Sequence, residues 1–359
     1  MSLIVKISKW LVGLLFIISG YIKLNDPYGT AIKLDEYFVV FADSFAPFFS
    51  LLIPAALYLS VFLSTLEIIL GFAVLLNFKP KTTAWSLLII IVFFSFLTFF
   101  SAYTGKVTDC GCFGDALPLT PWQSFSKDMI LLFFIGILFL FRNKVSYPSN
   151  NRNTKLIIGL TFACLWLGVY SIRHLPLIDF RPYKIGNNIK ELMNNGKASV
   201  YHYKMEKDGV QQVFKKYPSD QSWKYVESVE VVAGEDPTIL DFMLFDKEGN
   251  DLTNEILTGP KVLFVFNHLG EINNAITKEE IANYKKTLGD KIYLVTSSDL
   301  GNSPYKSITN NIVSIDETVS KAMIRSNPGI IALNDGVVKG KWNSNDIPVI
   351  GELITELFR

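Results

Sequence analysis

Apolar runs dominate the chain up to about Arg173, and polar residues interrupt them only briefly. "LVGLLFIISG", "LLIPAALYLSVFLSTLEIILGFAVLL" and "WSLLIIIVFFSFLTFF" are typical. A helix needs about 20 apolar residues to cross a bilayer. That length predicts five spans, near 4–24, 50–77, 83–104, 123–142 and 156–174. The first has no small-residue cleavage site and continues into "SGYIKLNDPYG", so it reads as a retained helix. "LTPWQSF" marks the start of the fourth, with Thr120 as N-cap, Pro121 at N1 and Gln123 completing a capping box.

After "RHLPLIDFRPY" the periodicity shortens. "ASVYHYKM", "VQQVFKKY" and "YVESVEVVAG" read as strands. "KVLFVFN" and "KIYLVTSS" read as buried strands with the helix "TKEEIANYKKTLG" between them, its ends marked by a Thr277/Glu280 capping box and Gly289. "DETVSKAMIRS" is helical, "GIIALNDGVVKGKW" is a hairpin turning at Asp335-Gly336, and "PVIGELITELF" is a last helix. The expected fold class is an all-α four-helix membrane bundle with a fifth transmembrane helix, followed by a soluble α/β domain. The expected domains are the bundle at 1–145, the fifth helix and an interfacial tether at 146–196, and the soluble domain at 197–359.

Composition agrees with that division. With 50% hydrophobic and 19% charged residues, the chain is too apolar for one soluble globule. Residues 1–174 hold 13 Lys/Arg against 8 Asp/Glu, whereas the remainder holds 21 against 25. Neither half carries a basic stripe, which argues against a nucleic-acid partner. Lys6, Lys9, Lys79, Lys81, Arg142, Lys144, Arg152 and Lys155 fall on alternate short loops that contain no acidic residue. The positive-inside rule then puts the N-terminus in the cytoplasm of a bacterial inner membrane, with the C-terminal domain in the periplasm.

On that topology "TDCGCFGD" faces the oxidising side, where a disulfide persists. Gly111 and Gly114 permit the bend that a Cys110–Cys112 bridge requires. Such a bridge closes almost no loop, so it stabilises little, and its strain makes it exchange readily. Cys110 and Cys112 are therefore the candidate catalytic pair. The alternative is a hairpin brace without chemistry. A metal clip is disfavoured because two thiolates need two further ligands, and His174, His202 and His268 are scattered, so no metal is expected. Cys164, in the middle of the fifth span, is expected to pack as a small hydrophobe.

"STLEIILGF" puts an ionisable residue, Glu67, inside the second span, where its cost points to function or to a buried pin between helices. Ser60, Ser64 and Gly71 share its face. Counting depth from the helix ends offers Ser19 and Ser95 as hydrogen-bond partners, leaves Lys23 out of reach, and separates Glu67 from the cysteines by ~20 Å. Glutamine at position 67 would keep those serine bonds.

The first ~145 residues resemble the DoxX/MauE group of small bacterial membrane proteins, through "FIISGYIKLNDPYGTAIKLDEYF", "LEIILGFAVLL" and "DCGCFGD". The resemblance implies a four-helix bundle shaped like quinone-linked disulfide-forming enzymes of the vitamin K epoxide reductase type. It also implies a part in disulfide handling or maturation of a periplasmic partner. A quinone is the one cofactor it implies, although this chain has no second Cys-X-X-Cys to complete a relay. The order of elements in the soluble domain resembles the thioredoxin fold, with Pro328 matching its cis-proline. Where that family has Cys-X-X-Cys, this chain reads "NHLGEINNA", and no cysteine follows Cys164. A groove formed by Pro328 and His268 could hold a partner peptide, although a lone loop histidine is ordinarily just solvated. Two functions follow: a membrane thiol–disulfide oxidoreductase or its accessory factor, and a scaffold that docks a periplasmic or membrane protein client. A transporter has less support, since no inverted repeat is visible. Membrane lipid is a partner on any of these readings.

Overall fold

A computed structural model describes residues 3–107, 113–145, 151–197, 200–207, 210–215, 223–232, 235–267, 278–297 and 311–358. The chain forms two compact units, Met1–Arg181 and Pro182–Arg359.

The first unit is helical: α1 (Leu3–Asn25), α2 (Pro27–Ser44), α3 (Ala56–Leu75), α4 (Pro80–Thr104), α5 (Pro121–Leu140) and α6 (Asn151–Arg173). A 3-10 stretch, Pro47–Ala55, leads into α3, so that Pro47–Leu75 is one apolar span. Five helices among the described residues are long and apolar enough to cross a membrane, as the sequence predicts. The sixth, α2, replaces an expected loop. Asp26 caps it by accepting from the Gly29 amide, Pro27 opens it, and Ala31, Leu34, Phe38 and Phe41 form its buried stripe. That 3-4 spacing was readable; its short length for a span hid it.

Glycines set how closely α1 and α3 approach. A Cβ on Gly71 would stand 2.7 Å from the Gly13 carbonyl, and one on Gly20 would stand 2.8 Å from the Ser64 carbonyl. Membrane helices gain little by burying one apolar surface rather than another, so small residues that bring backbones together do much of the sorting. Ser60, Ser64 and Glu67 lie on the buried face of α3. The Thr120 capping box of α5 is formed.

The second unit begins with α7 (Ile189–Asn194) and a three-stranded antiparallel sheet, β1 (Val200–Lys207), β2 (Val210–Phe214) and β3 (Lys224–Val232), in the order β2-β1-β3. A short turn of helix, α8 (Thr253–Ile256), precedes the main sheet. That sheet comprises β4 (Pro260–Phe266), β5 (Ile292–Thr296), β6 (Ile312–Ser314), β7 (Gly329–Asn334) and β8 (Val337–Asn343), with α9 (Lys278–Leu288), α10 (Glu317–Met323) and α11 (Ile350–Phe358). The strand order is β6-β5-β4-β7-β8, in which β6, β5 and β4 run parallel and β7 and β8 antiparallel. The hairpin between β7 and β8 turns at Asp335 and Gly336, both at positive φ, as a tight I′-like turn requires. Phe264, Leu294 and Ile330 of one sheet face pack against Tyr284 of α9 and Leu353 of α11. Leu263, Val265 and Ile331 alternate to the other face and are buried too, so the sheet is covered on both sides. Strand β6 was not expected, because three residues are too few for period 2 to show.

Candidate functional site

Glu67 sits on α3 opposite the last two turns of α1. The Ser19 hydroxyl donates to its Oε2 at 2.9 Å, and the Lys23 ammonium donates to its Oε1 at 2.6 Å. Both charged side chains are buried, at 3% and 9% exposure. Lys23 Nζ also lies 4.6 Å from the centre of the Phe94 ring, a cation–π contact from α4.

The ion pair corrects the sequence reading, which placed Lys23 beyond reach of Glu67. Depth counting followed Cα positions only. Helical Cα–Cβ bonds tilt toward the N-terminus, and the four-carbon lysine stem carries the ammonium back by about a turn, roughly 5 Å. The close packing at Gly20 then brings it onto the carboxylate. Ser95 is not brought to Glu67. Its hydroxyl is buried and meets no hydrogen-bond partner among the described residues.

The pair forms one wall of a pocket of about 520 Å³, counting space open to its mouth. Thr30, Tyr37, Phe94 and Thr98 line it with Lys23 and Glu67. Its polar groups converge inside an otherwise apolar bundle, where few such groups are tolerated without purpose.

The polar network continues beyond the pocket. The Thr98 hydroxyl donates to Asp128 Oδ2 at 3.0 Å, and Lys127 Nζ lies 2.9 Å from Asp128 Oδ1. Lys127 in turn stands 5.1 Å from the centre of the Phe113 ring. Asp128 is not among the candidate residues the sequence offered. It is a buried residue within α5, and its position two turns past the Thr120 cap was the available signal. Phe113 follows Cys112 directly in the chain. Cys110 and Cys112 themselves lie outside the described residues. On the N-terminal side of that segment, Val107 is buried and its carbonyl accepts from the Ser101 hydroxyl.

Cys164 is a buried free thiol packed with Leu24 and Ile68. Among the described residues, no three His, Cys, Asp or Glu side chains gather as a metal site. In the second unit, Pro328 is buried after a cis Asn327–Pro328 bond, and its carbonyl accepts from Ser326 Oγ. The Asn267 amide group donates to the carbonyls of Ile324 and Ser326, tying the end of β4 to the segment before Pro328. His268 lies outside the described residues.

Residues 1–141 match the family described as Methylamine utilisation protein MauE. Residues 199–235, which include β1, β2 and β3, match a domain of unknown function (DUF8463). Protein TlpB of Flavobacterium psychrophilum is 30% identical over 164 residues, which are 43% of this chain and 41% of that protein. The chain thus spans well under half the length of the curated relative it matches. No solved structure matches. With its five apolar helices the chain is membrane-embedded, similar to MauE over residues 1–141, and it carries a second unit of mixed sheets and helices.

Proposed function

We propose that the chain is an inner-membrane thiol–disulfide oxidoreductase, or the accessory factor of one, that matures a periplasmic partner. Cys110 and Cys112 are its exchanging pair. The observation that carries this reading is the run of contacts from Phe113, the neighbour of Cys112, through Lys127, Asp128 and Thr98 to the Lys23–Glu67 pocket. A bundle that only braced a hairpin would have no use for four buried or half-buried charges along one path.

In the exchange, a thiolate of the pair attacks a client disulfide, or a client thiolate attacks the Cys110–Cys112 bridge. Each direction passes through a mixed disulfide and conserves the electron count between the two pairs. The quinone implied by the resemblance would be held at this pocket, beside Lys23, Glu67 and Phe94. When bound, it would supply two-electron acceptance. Residues 197–359 serve as a thioredoxin-like client platform without thiols. The order β5-β4-β7-β8, with β7 antiparallel, supports that fold, and the groove beside Pro328 and His268 is where a client segment would lie. Residues 1–145 form the bundle and 146–196 the fifth span with its tether, and the N-terminus is cytoplasmic.

The test is mixed-disulfide trapping in cells carrying Cys112→Ser or Cys110→Ser. A captured partner, together with loss of its maturation in both single variants, supports exchange. If the double serine variant matures and assembles every partner normally, the chain is instead a scaffold. The absence of cysteine beyond Cys164 favours that second reading, under which removal of the C-terminal unit abolishes assembly while serine at both positions does not.

A further inference from the structure

A second pocket, of about 400 Å³ counting space open to its mouth, lies among the start of α1, the end of α3, the start of α4 and the end of α5. Its walls are largely apolar, including Val5, Val74, Leu87 and Leu138, and the charged residues lining it are Lys9 and Arg142. We propose that this cavity binds an anionic phospholipid, with the phosphate between Lys9 and Arg142 and an acyl chain along the apolar wall.

Charge points to the anion. Neither cation pairs with a carboxylate among the described residues, and Arg142 spends one of its five N–H groups on the Phe139 carbonyl. Helix α4 also begins here, with no side-chain cap at Lys79, so the positive end of its dipole adds to the field. Position points to a lipid rather than free phosphate. Trp10 and Trp85, exposed at 58% and 52%, sit at the same end and mark a membrane interface. Basic pockets between transmembrane helices at such an interface hold acidic head groups. Soluble phosphate would have no use for the apolar wall. The proposal rests on no assignment of sides and is independent of the cysteine chemistry.

Native mass spectrometry of the full chain in neutral detergent, titrated with phosphatidylglycerol, tests it. Phosphatidylglycerol should bind at one site in preference to phosphatidylcholine. The Lys9→Gln/Arg142→Gln variant should bind about 30-fold more weakly, from roughly 1 kcal/mol per basic residue. Lys6→Gln/Lys81→Gln removes two cations from the same end that do not line the cavity, and should stay within about 3-fold of the parent. Lys9→Arg/Arg142→Lys retains binding and guards against a variant that merely misfolds. Equal losses in both glutamine variants would mean diffuse surface attraction and would overturn the site. So would equal binding of phosphatidylcholine, or displacement of the lipid by inorganic phosphate at millimolar concentration.

Discussion

The two units reverse each other's logic of inside and outside. In the sheet unit the central strand is apolar: Val262, Leu263, Phe264 and Val265 of β4 are all fully buried. In the helical unit many large apolar side chains are exposed, with Ile89 at 66%, Phe133 at 63% and Trp166 at 67%. Its interior instead collects Ser60, Ser64, Lys23, Glu67 and Asp128. Water drives the first arrangement, since removing apolar surface from water is favourable. Lipid supplies no such drive, so close glycine contacts and paired polar groups decide which faces meet. The same residue type therefore carries opposite information in the two halves.

Phenylalanine gives the sharpest contrast. Phe264→Ala should cost the sheet unit about 3–5 kcal/mol, whereas Phe133→Ala should fall within about 0.5 kcal/mol of the parent. Urea resistance of each unit to limited proteolysis, measured in the full chain, reads both. Comparable losses would break the comparison.

The buried pair comes next. Lys23→Met strands the Glu67 carboxylate and should cost about 3 kcal/mol, while Lys23→Met/Glu67→Leu should recover most of that loss. Thermal unfolding in detergent separates the two outcomes. Glu67→Gln is no longer the mild change that the serine bonds alone imply, because it strands the ammonium instead. If the single and double variants melt together, the pair does not hold α1 to α3.

Packing at the glycine contacts should show a smaller effect. Gly71→Ala places a methyl against the Gly13 carbonyl and the Ile17 side chain. A loss of about 1–3 kcal/mol is expected, against almost none for Gly136→Ala, where a Cβ meets open space. Equal melting of the two variants would remove close approach as the sorting device.

The smallest effect concerns pH. Burial, then the hydrogen bond and negative charge of Glu255, push the Tyr293 phenol up to about 12. The folded state thus keeps a proton that the unfolded state releases near pH 10. Stability from this group is complete below pH 10 and is lost as pH rises toward about 12. Absorbance titration at the phenolate band should show late-titrating tyrosine, part of which Glu255→Gln moves earlier. No change in that variant would refute the coupling.

Several features were legible because their causes are local. A capping box spans four residues, a I′-like turn two, and an apolar span one unbroken run, so Thr120 with Gln123, Asp335-Gly336 and the five spans could be read directly. Glu67 stood out because a carboxylate in such a run is costly wherever its partner lies. Its partners did not stand out equally. Ser19 was reachable by depth, but the lysine one turn further on was not, and Asp128 was not singled out at all.

Length and hydrophobic period, therefore, settled that this protein has a membrane half and an α/β half, and where most of their elements begin and end. Only the tertiary structure decided that Lys23 meets Glu67 across 44 residues, that Thr98 meets Asp128 across 30, and that β4 lies between β5 and β7. The reason is physical. Propensity and capping act between near neighbours along the chain, whereas a pocket is made by side chains that helix crossing and close backbone approach bring together.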